Sequence, residues 1–304
     1  MKPFARIIVD LDAAAAAHPA LDRAADLARV CGARLTLVDV VTVPDAARRY
    51  LPAGAEDLVV NTRRSRLAQL AASVTDLETA VEVLKGRPAQ ALIAEAAAGD
   101  YDLVVRSHAR DLAATPRLLG SVDMQLFRHC PATVWAVGPQ ALNPPRTVVA
   151  AVHADRTDAA GDALNVRILE TAHLMAQASG GRLIVLQAWH PFAEDTLKSR
   201  YSADDFTAYV TAAGETARQD LDALLETSRG IARNARVELL RGAAEDVLPA
   251  YTVANGVDLV VMGTMARSGL SGLIMGNTAE RLLQRLPCSV MAVKPEGFRP
   301  LSAS

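Results

Sequence analysis

Cysteine is scarce in this chain, whose 304 residues include only Cys31, Cys130 and Cys288. Three scattered thiols exclude a disulfide-rich scaffold and a Cys-x-x-Cys metal site. No run of about 18 apolar residues free of charge occurs, so no membrane-spanning helix is expected. The N-terminal residues also lack the apolar segment of a signal peptide. Together these absences predict a soluble protein of the reducing cytoplasm.

The chain also lacks an excess of either charge. Its 32 Lys and Arg residues against 34 Asp and Glu residues give a net charge of −2. This balance argues against a strongly basic nucleic-acid-binding protein and against a protein that binds anionic membranes. Hydrophobic residues make up 51% and charged residues 22%, which is a globular composition. At roughly 150 residues per domain, the length predicts two domains, each with its own core.

An internal repeat supports two domains. The segment Val81–Val137 aligns without a gap to Val237–Val293, and 17 of the 57 aligned residues are identical. The front parts of the two copies match with small gaps. Because solenoid repeats are shorter, the pattern indicates a duplicated domain. The seam contains Pro144 and Pro145, which disfavour a helix, so we expect domains at residues 1–140 and 141–304.

Each copy alternates between short apolar runs and helical patterns. The apolar runs of the first copy are typical of buried parallel strands; they are Ile7–Val9, Leu35–Val41, Val81–Leu84, Leu103–Val105 and Thr133–Val137. Helical spacing occurs over Ala20–Cys31 and Leu164–Ala178. The alternation predicts an α/β fold of two tandem, doubly wound, five-stranded parallel sheets. Ligands of such sheets bind outside the carboxyl ends of the strands.

Glycine is nearly missing where a dinucleotide-binding loop would need it. The first strand-to-helix connection, residues 12–18, has no glycine, and its counterpart, residues 155–161, has one. A Gly-x-Gly-x-x-Gly site is therefore not expected in either copy, which argues against a metabolic enzyme of the wider nucleotide-binding α/β group. A Ser–His–Asp hydrolase is disfavoured too, since Ser268 lacks the flanking glycine pattern.

The glycines cluster instead after the fourth strand of the second copy, between Gly263 and Gly276. Glycines let backbone amides approach an anion, and Gly276-Asn277 opens a helix whose free amides favour phosphate. The run from Asn277 to Glu280 is also typical of a capping box. The alternative interpretation is that these residues only cap a helix and build a loop.

This segment runs from Val260-Val-Met-Gly to Gly276-Asn-Thr-Ala-Glu-Arg and is followed by Leu-Pro-Cys-Ser-Val-Met-Ala-Val-Lys. It resembles the universal stress protein family, and the presence of two copies resembles the tandem branch of that family. The resemblance covers nearly the whole chain. It implies that the motif binds the phosphates and ribose of ATP, with Mg²⁺ accompanying the nucleotide. It also implies that the two domains pair through their last strands as an intrachain pseudo-dimer, which could dimerise further into a homo-oligomer.

Carried over residue by residue, the resemblance gives a candidate nucleotide site in the second domain. Its members are Val152, His153, Ala188, Met262, Gly263, Ala266, Gly276, Asn277 and Thr278. Val152 and Ala188 would be apolar walls near an adenine. The sequence departs from the family pattern twice, because Ala266 replaces the second glycine and His153 replaces the acid at the end of the first strand. A methyl group at Ala266 would strain a left-handed backbone or crowd a phosphate.

The first domain resembles a degenerate copy of this site. It retains the acid Asp12, the apolar Val40 and the helix start Gly120-Ser121, and Asp10 adds a second acid. Its first two motif positions are Ser107 and Arg110, and residues 111–119 contain no glycine. Arg106 and Arg110 offer an alternative in which this copy attracts an anion.

Other clusters are weaker. His108, His129 and Cys130 are of the right types for zinc, but their spacing matches no closed site, so no metal is expected. We expect the cysteines to be buried thiols, and Trp135 and Trp189 to lie in the core or an interface. The segment Tyr201–Val210 would pack on the core, with a pocket lining or a partner surface as the alternatives.

Two functions remain open. The first is a cytoplasmic, nucleotide-responsive stress regulator, with at most slow ATP hydrolysis because neither a Walker lysine nor a general base is evident. The second is an interaction scaffold, or a carrier of a small apolar ligand, that binds no nucleotide. Neither assigns a catalytic residue, and protein partners are not identified.

Overall fold

The computed structural model describes residues 4–107, 120–138, 144–264 and 275–298. In the first half the elements are β1 (Arg6–Asp10), α1 (Pro19–Cys31), β2 (Arg34–Val41), α2 (Asp45–Arg48), α3 (Ala55–Ala72), β3 (Thr79–Lys85), α4 (Pro88–Ala98), β4 (Leu103–Ser107), α5 (Ser121–His129) and β5 (Thr133–Val137). The five apolar runs predicted as strands are therefore confirmed.

The second half repeats this order. Its elements are β6 (Thr147–Val152), α6 (Ala159–Ser179), β7 (Arg182–Trp189), α7 (Glu194–Lys198), α8 (Ala203–Thr227), α9 (Arg229–Ala232), β8 (Arg236–Arg241), α10 (Ala244–Ala254), β9 (Leu259–Gly263), α11 (Asn277–Arg285) and β10 (Ser289–Val293). Within the described ranges, no helix is long and apolar enough to cross a membrane.

The strands form one ten-stranded sheet in the order β3-β2-β1-β4-β5-β10-β9-β6-β7-β8. Every neighbouring pair is parallel except β5 with β10, which run antiparallel. There Trp135 faces Met291 across the pair, and Gly138 N–H donates to Ser289 Oγ at 3.1 Å. The two halves are thus joined through their last strands, as the predicted intrachain pseudo-dimer requires. The predicted α/β fold class is confirmed.

Apolar residues cover both faces of the sheet, so the strands between the partly exposed edge strands β3 and β8 are largely buried between helices. Ile7 and Val9 point into one core, and Ile8 points into the other, as the two-residue period of a strand requires. Helices α1 and α6 each end at a glycine in the left-handed conformation, Gly32 and Gly180, which reverses the chain into the next strand.

Several expectations about single residues can be compared with this fold. Trp135 is buried at the junction of the halves, whereas Trp189 is half-buried at the end of β7. The expectation for the cysteines holds fully only for Cys130, since Cys31 and Cys288 are half-buried. Burial raises the pKa of the Cys130 thiol to about 11, so it is inert near neutral pH. Phe206, Tyr209 and Val210 are half-buried on α8, which packs against α6 and β7.

Candidate functional site

The candidate site lies where β6 and β9 end side by side. Ala151 of β6 pairs with Met262 of β9, so Val152, His153 and Gly263 leave the sheet at one point. Val152 also pairs with Gln187, which brings Ala188 of β7 to the same edge. Because the chain leaves β6 and β9 toward opposite faces, this is the switch point at which open α/β sheets form a ligand crevice.

The start of α11 closes the other side of this crevice. Gly276 N–H donates to the carbonyl of Thr264 at 3.0 Å, which places the helix start directly after the end of β9. The structure therefore brings together Val152, His153, Ala188, Met262, Gly263, Gly276, Asn277 and Thr278. Ala266, the remaining predicted site residue, lies outside the described residues.

The first turn of α11 is exposed and has no side-chain cap. Gly276 is the N-cap in an extended conformation, and Asn277 and Thr278 are exposed. The predicted capping box from Asn277 to Glu280 is wrong, because Asn277 is already the first helical residue. The Glu280 carboxylate accepts a hydrogen bond from Arg128 of α5 instead. Helix-start amides have no partner inside their own helix, so this turn can bind an anion.

Two buried side-chain amides hold the backbone that follows β6. The Asn165 amide pairs with His153, accepting from its N–H at 3.1 Å and donating to its carbonyl at 2.8 Å. The Gln187 oxygen accepts from Ala154 N–H at 2.8 Å. Both side chains are at most 2% exposed. Gln187 was missed by the sequence analysis, although a polar residue inside the apolar run of β7 was a signal.

Gly263 packs closely against α6, and a side chain at this position would force Leu164 to move. A Cβ atom at this position would lie 2.8 Å from Leu164 Cδ2 and 3.5 Å from Ile168 Cδ1 of α6. Helix α6 has 21 residues against 13 in α1, and its additional N-terminal turns lie over the end of β9. The absence of a side chain therefore lets α6 approach the site closely. The predicted contact of Gly263 with phosphate stays a prediction.

The corresponding edge of the first half is filled by ion pairs. Arg106 Nε of β4 lies 3.4 Å from Asp10 Oδ2 and 3.1 Å from Asp123 Oδ1. Burial raises the pKa of Asp10 to about 6, an effect larger than the opposing attraction of Arg106. In the second half, Met262 occupies the position of Arg106, Ala151 that of Asp10, and Ala279 that of Asp123.

A second arginine joins two further acids of the first half. Arg63 Nη1 of α3 lies 2.8 Å from Asp39 Oδ2 and 3.1 Å from Asp12 Oδ1. Asp39 also accepts from Ala13 N–H at 3.0 Å, the role that Gln187 has in the second half. The predicted acid Asp12 is thus engaged with an arginine.

The helix start of the first half is also occupied by its own chain. Gly120 N–H donates to the Asp123 carboxylate at 2.9 Å, while Ser121 is exposed and Val40 is half-buried. Arg106, considered as an anion-binding residue, contacts carboxylates instead, and Arg110 lies outside the described residues. These contacts give a physical account of a degenerate site.

Metal ligands are not grouped in the part of the chain that the structure describes, where no three His, Cys, Asp or Glu side chains could hold an ion. Of the zinc candidates, His129 and Cys130 end α5, and His108 lies outside the described residues. Burial, with the nearby charges of Arg128 and Lys294, lowers the pKa of His129.

Comparison with known proteins agrees with this architecture. The sequence profile of the universal stress protein family matches two stretches, residues 3–138 and 147–294. The chain belongs to the universal stress protein family. It carries two copies of the domain, as the tandem resemblance implied, and membership in this family supports a role in the stress response.

Among relatives, universal stress protein E of Photorhabdus laumondii is 30% identical over 234 residues, covering 75% of this chain and 73% of the relative. Universal stress protein E of Escherichia coli K12 is 26% identical over 218 residues, covering 71% and 68%. The chain is therefore a tandem member of the family that is similar to universal stress protein E.

Solved structures share the whole architecture. A protein of Pseudomonas aeruginosa PAO1 superposes with a TM-score of 0.72 at 23% identity, covering 97% of this chain and 94% of that one. A universal stress protein from Archaeoglobus fulgidus gives a TM-score of 0.59 at 16% identity, covering 95% and 98%. At these identities the likeness shows the fold alone.

Proposed function

We propose that this universal stress protein is a cytoplasmic, nucleotide-responsive regulator that binds one adenine nucleotide in its second half. The observation that carries the proposal is the uncapped, exposed start of α11, which Gly276 and Thr264 hold beside the ends of β6 and β9. Phosphates would accept hydrogen bonds from the amides of Asn277 and Thr278, and the helix dipole would favour their charge.

The adenine would lie on the apolar side of the crevice. Val152 is buried and Ala188 half-buried at the adjacent ends of β6 and β7. Asn165 and Gln187 hydrogen-bond the backbone of His153 and Ala154, directly after Val152, which would hold this side of the crevice in place before a ligand arrives. A preorganised wall lowers the entropy cost of binding.

Charge favours the second half over the first. The first half has four carboxylates around its strand ends, Asp10, Asp12, Asp39 and Asp123, against two arginines. At the corresponding positions the second half has Ala151, His153, Gln187 and Ala279, none of which carries a negative charge at neutral pH. An anionic ligand is therefore repelled at one edge and accepted at the other.

Magnesium would enter with the nucleotide. No predicted site residue of the second half is a carboxylate, so the chain's contribution is to bind the phosphates through backbone amides, and Mg²⁺ would be held by the phosphate oxygens. None of these residues is a lysine, and none, His153 included, is assigned as a general base at the phosphates. We therefore propose binding and signalling, with at most slow hydrolysis.

A second candidate function is favoured by one observation. Ala151, Met262 and Ala279 form an apolar floor at positions where the first half has an ion-paired cluster. Such a floor also suits a small apolar ligand, which would make the protein a carrier. This candidate predicts no saturable nucleotide binding and an organic ligand that co-purifies.

Calorimetric titration with ATP and Mg²⁺ tests the proposal, using two matched variants. Gly276 and Gly120 are equivalent N-caps with ordinary backbone angles, φ −71° and −77°, so a side chain strains the backbone at neither position. We expect about one ATP per chain, loss of binding in Gly276→Arg, and unchanged binding in Gly120→Arg. Unchanged binding in Gly276→Arg would reject the site. No binding up to millimolar ATP would favour the carrier, to be followed by mass spectrometry of co-purified ligands.

A further inference from the structure

A buried lysine joins the two halves of the chain. Lys294 directly follows β10 and is 2% exposed. Its ammonium donates to the carbonyl of Phe127, in α5 of the first half, and to Thr264 Oγ1 of the second half at 2.9 Å. The Thr264 hydroxyl itself points to the Phe127 carbonyl at 3.4 Å. Within the described ranges, no carboxylate forms an ion pair with Lys294.

The same contact continues to the candidate site. The Thr264 carbonyl accepts from Gly276 N–H, the N-cap of α11. A continuous path therefore runs from Phe127 through Lys294 and Thr264 to Gly276. Arg128 of α5 adds a second link through its ion pair with Glu280 in the first turn of α11. Helix α5 of the first half thus contacts α11 of the second half at its start.

The links are not repeated by the symmetry of the fold. The residue of the first half equivalent to Lys294 is Gly138, which has no side chain and donates only a backbone hydrogen bond to Ser289. The equivalents of Arg128 and Glu280 are Gln284 and Met124, which cannot form an ion pair. Contacts from the first half therefore support the start of α11. The equivalent residues, Gly138, Gln284 and Met124, provide no such side-chain contact to the start of α5.

We propose that Lys294 is a positioning residue that couples the interface between the halves to the candidate ligand site. The first half acts as a support that fixes the start of α11, and the amides of that turn are thereby held ready for the ligand. We call the hydrogen-bonded path from Phe127 through Lys294 and Thr264 to Gly276 the tether. The ligand part of this proposal rests on the proposed nucleotide binding, whereas the tether does not.

A pH profile separates this role from simple packing. Burial lowers the pKa of Lys294 to about 8, so its charge is lost between about pH 7 and 9. An anionic ligand nearby favours the charged form, so its affinity should fall through this window. The other groups near the ammonium are His129, Cys130 and the ring of Phe298. They do not titrate there, because the His129 pKa is lowered and the Cys130 pKa is about 11.

The test uses Lys294→Met and Thr264→Val in the full chain, with Lys85→Met as the control. Lys85 is a half-exposed lysine of β3, paired with Glu56 far from the interface. Amide hydrogen exchange of residues 275–285, measured without ligand, reports the tether. We expect exchange about tenfold faster in both test variants, as for one lost buried hydrogen bond, and no change in Lys85→Met. Native exchange in both test variants would overturn the tether.

Titration with ATP and Mg²⁺ at pH 7, 8 and 9 then tests the coupling. We expect about fivefold to tenfold weaker binding in Lys294→Met at pH 7. We also expect an affinity that falls with pH in the native protein and is flat in the variant. Faster exchange with native affinity and a native pH profile would overturn the coupling. If the native protein binds no ATP, the proposed function and the coupling both fail, while the exchange experiment still decides the tether.

Discussion

The two halves of this chain use one fold for two different strand edges. At three equivalent positions the first half has Asp10, Arg106 and Asp123, and the second half has an alanine, a methionine and an alanine. In the first half, charged side chains occupy the crevice and the helix start is bonded to its own chain. In the second half the crevice is apolar and the helix start is exposed. The two copies thus share one backbone fold, while their side chains make one strand edge charged and the other apolar.

The largest effect on stability is expected when the arginine of the first half, Arg106, is introduced at the equivalent position of the second half, Met262. Met262→Arg would place a cation, without the two acids that surround Arg106, at a buried position of β9. We expect a loss of about 3–5 kcal/mol in unfolding free energy, measured by urea denaturation. The triple variant Ala151→Asp, Met262→Arg, Ala279→Asp should recover at least half of that loss. A single variant as stable as the native protein would contradict the assignment of an apolar floor.

The next largest effect on stability is expected at the contact between Gly263 of β9 and helix α6. Gly263→Ala places a methyl group against Leu164, so we expect a loss of about 1–3 kcal/mol in unfolding free energy. In a Leu164→Ala background the same substitution should cost almost nothing, because the opposing atoms are gone. An equal cost in both backgrounds, from thermal or urea unfolding, would show that the glycine is needed for another reason.

Asp10→Asn tests the closed edge of the first half through pH. The folded pKa of Asp10 is raised from 3.8 to about 6, so between these values the native state binds a proton that the unfolded state does not. The stability that this group contributes is therefore lost as pH rises through the window. We expect Asp10→Asn to gain about 1–3 kcal/mol at pH 7 and almost nothing at pH 4.

Stability curves of both proteins at several pH values check the Asp10 prediction. Asp45→Asn, at an exposed position on α2, is a suitable control because its carboxylate is solvated. A gain that does not depend on pH, or a loss at pH 7, would mean that Arg106 stabilises the ionised form of Asp10.

The smallest effect is expected at the surface link between the halves. The side chain of Arg128 is 39% exposed and that of Glu280 is 33% exposed, so solvent screens their attraction. Arg128→Gln should lower the unfolding free energy by about 0.5 kcal/mol or less. A loss well above 1 kcal/mol would contradict the assignment of this ion pair as a solvent-screened surface link.

The fold was predictable because its signals are local or repeated. Apolar runs located the strands, and the internal repeat gave the duplication. The alignment of the front parts also placed His153 opposite Asp12, and the structure puts both after the first strand of their half. These inferences depend only on side-chain period and on the matching of two copies.

The closed edge of the first half was not predictable in the same way. Its ion pairs join β1 to β4 and α5, and α3 to β2, and no sequence spacing reveals which arginine meets which acid. The capping box predicted at Asn277 is wrong because the helix begins at that residue, one position earlier than the motif needs. The tether through Lys294 depends on residues from both halves that meet only after the sheet has closed.

Photo-crosslinking with an azido-adenine analogue of ATP, followed by peptide mapping, tests the central claim most directly. The analogue is bound with Mg²⁺ near half saturation, irradiated, and chased with excess ATP in a parallel sample. The account predicts competable labelling confined to peptides of the second half, within residues 147–294. Competable labelling of peptides around Asp12, Val40 or Gly120 would contradict it, because the first half would then bind nucleotide despite its ion pairs.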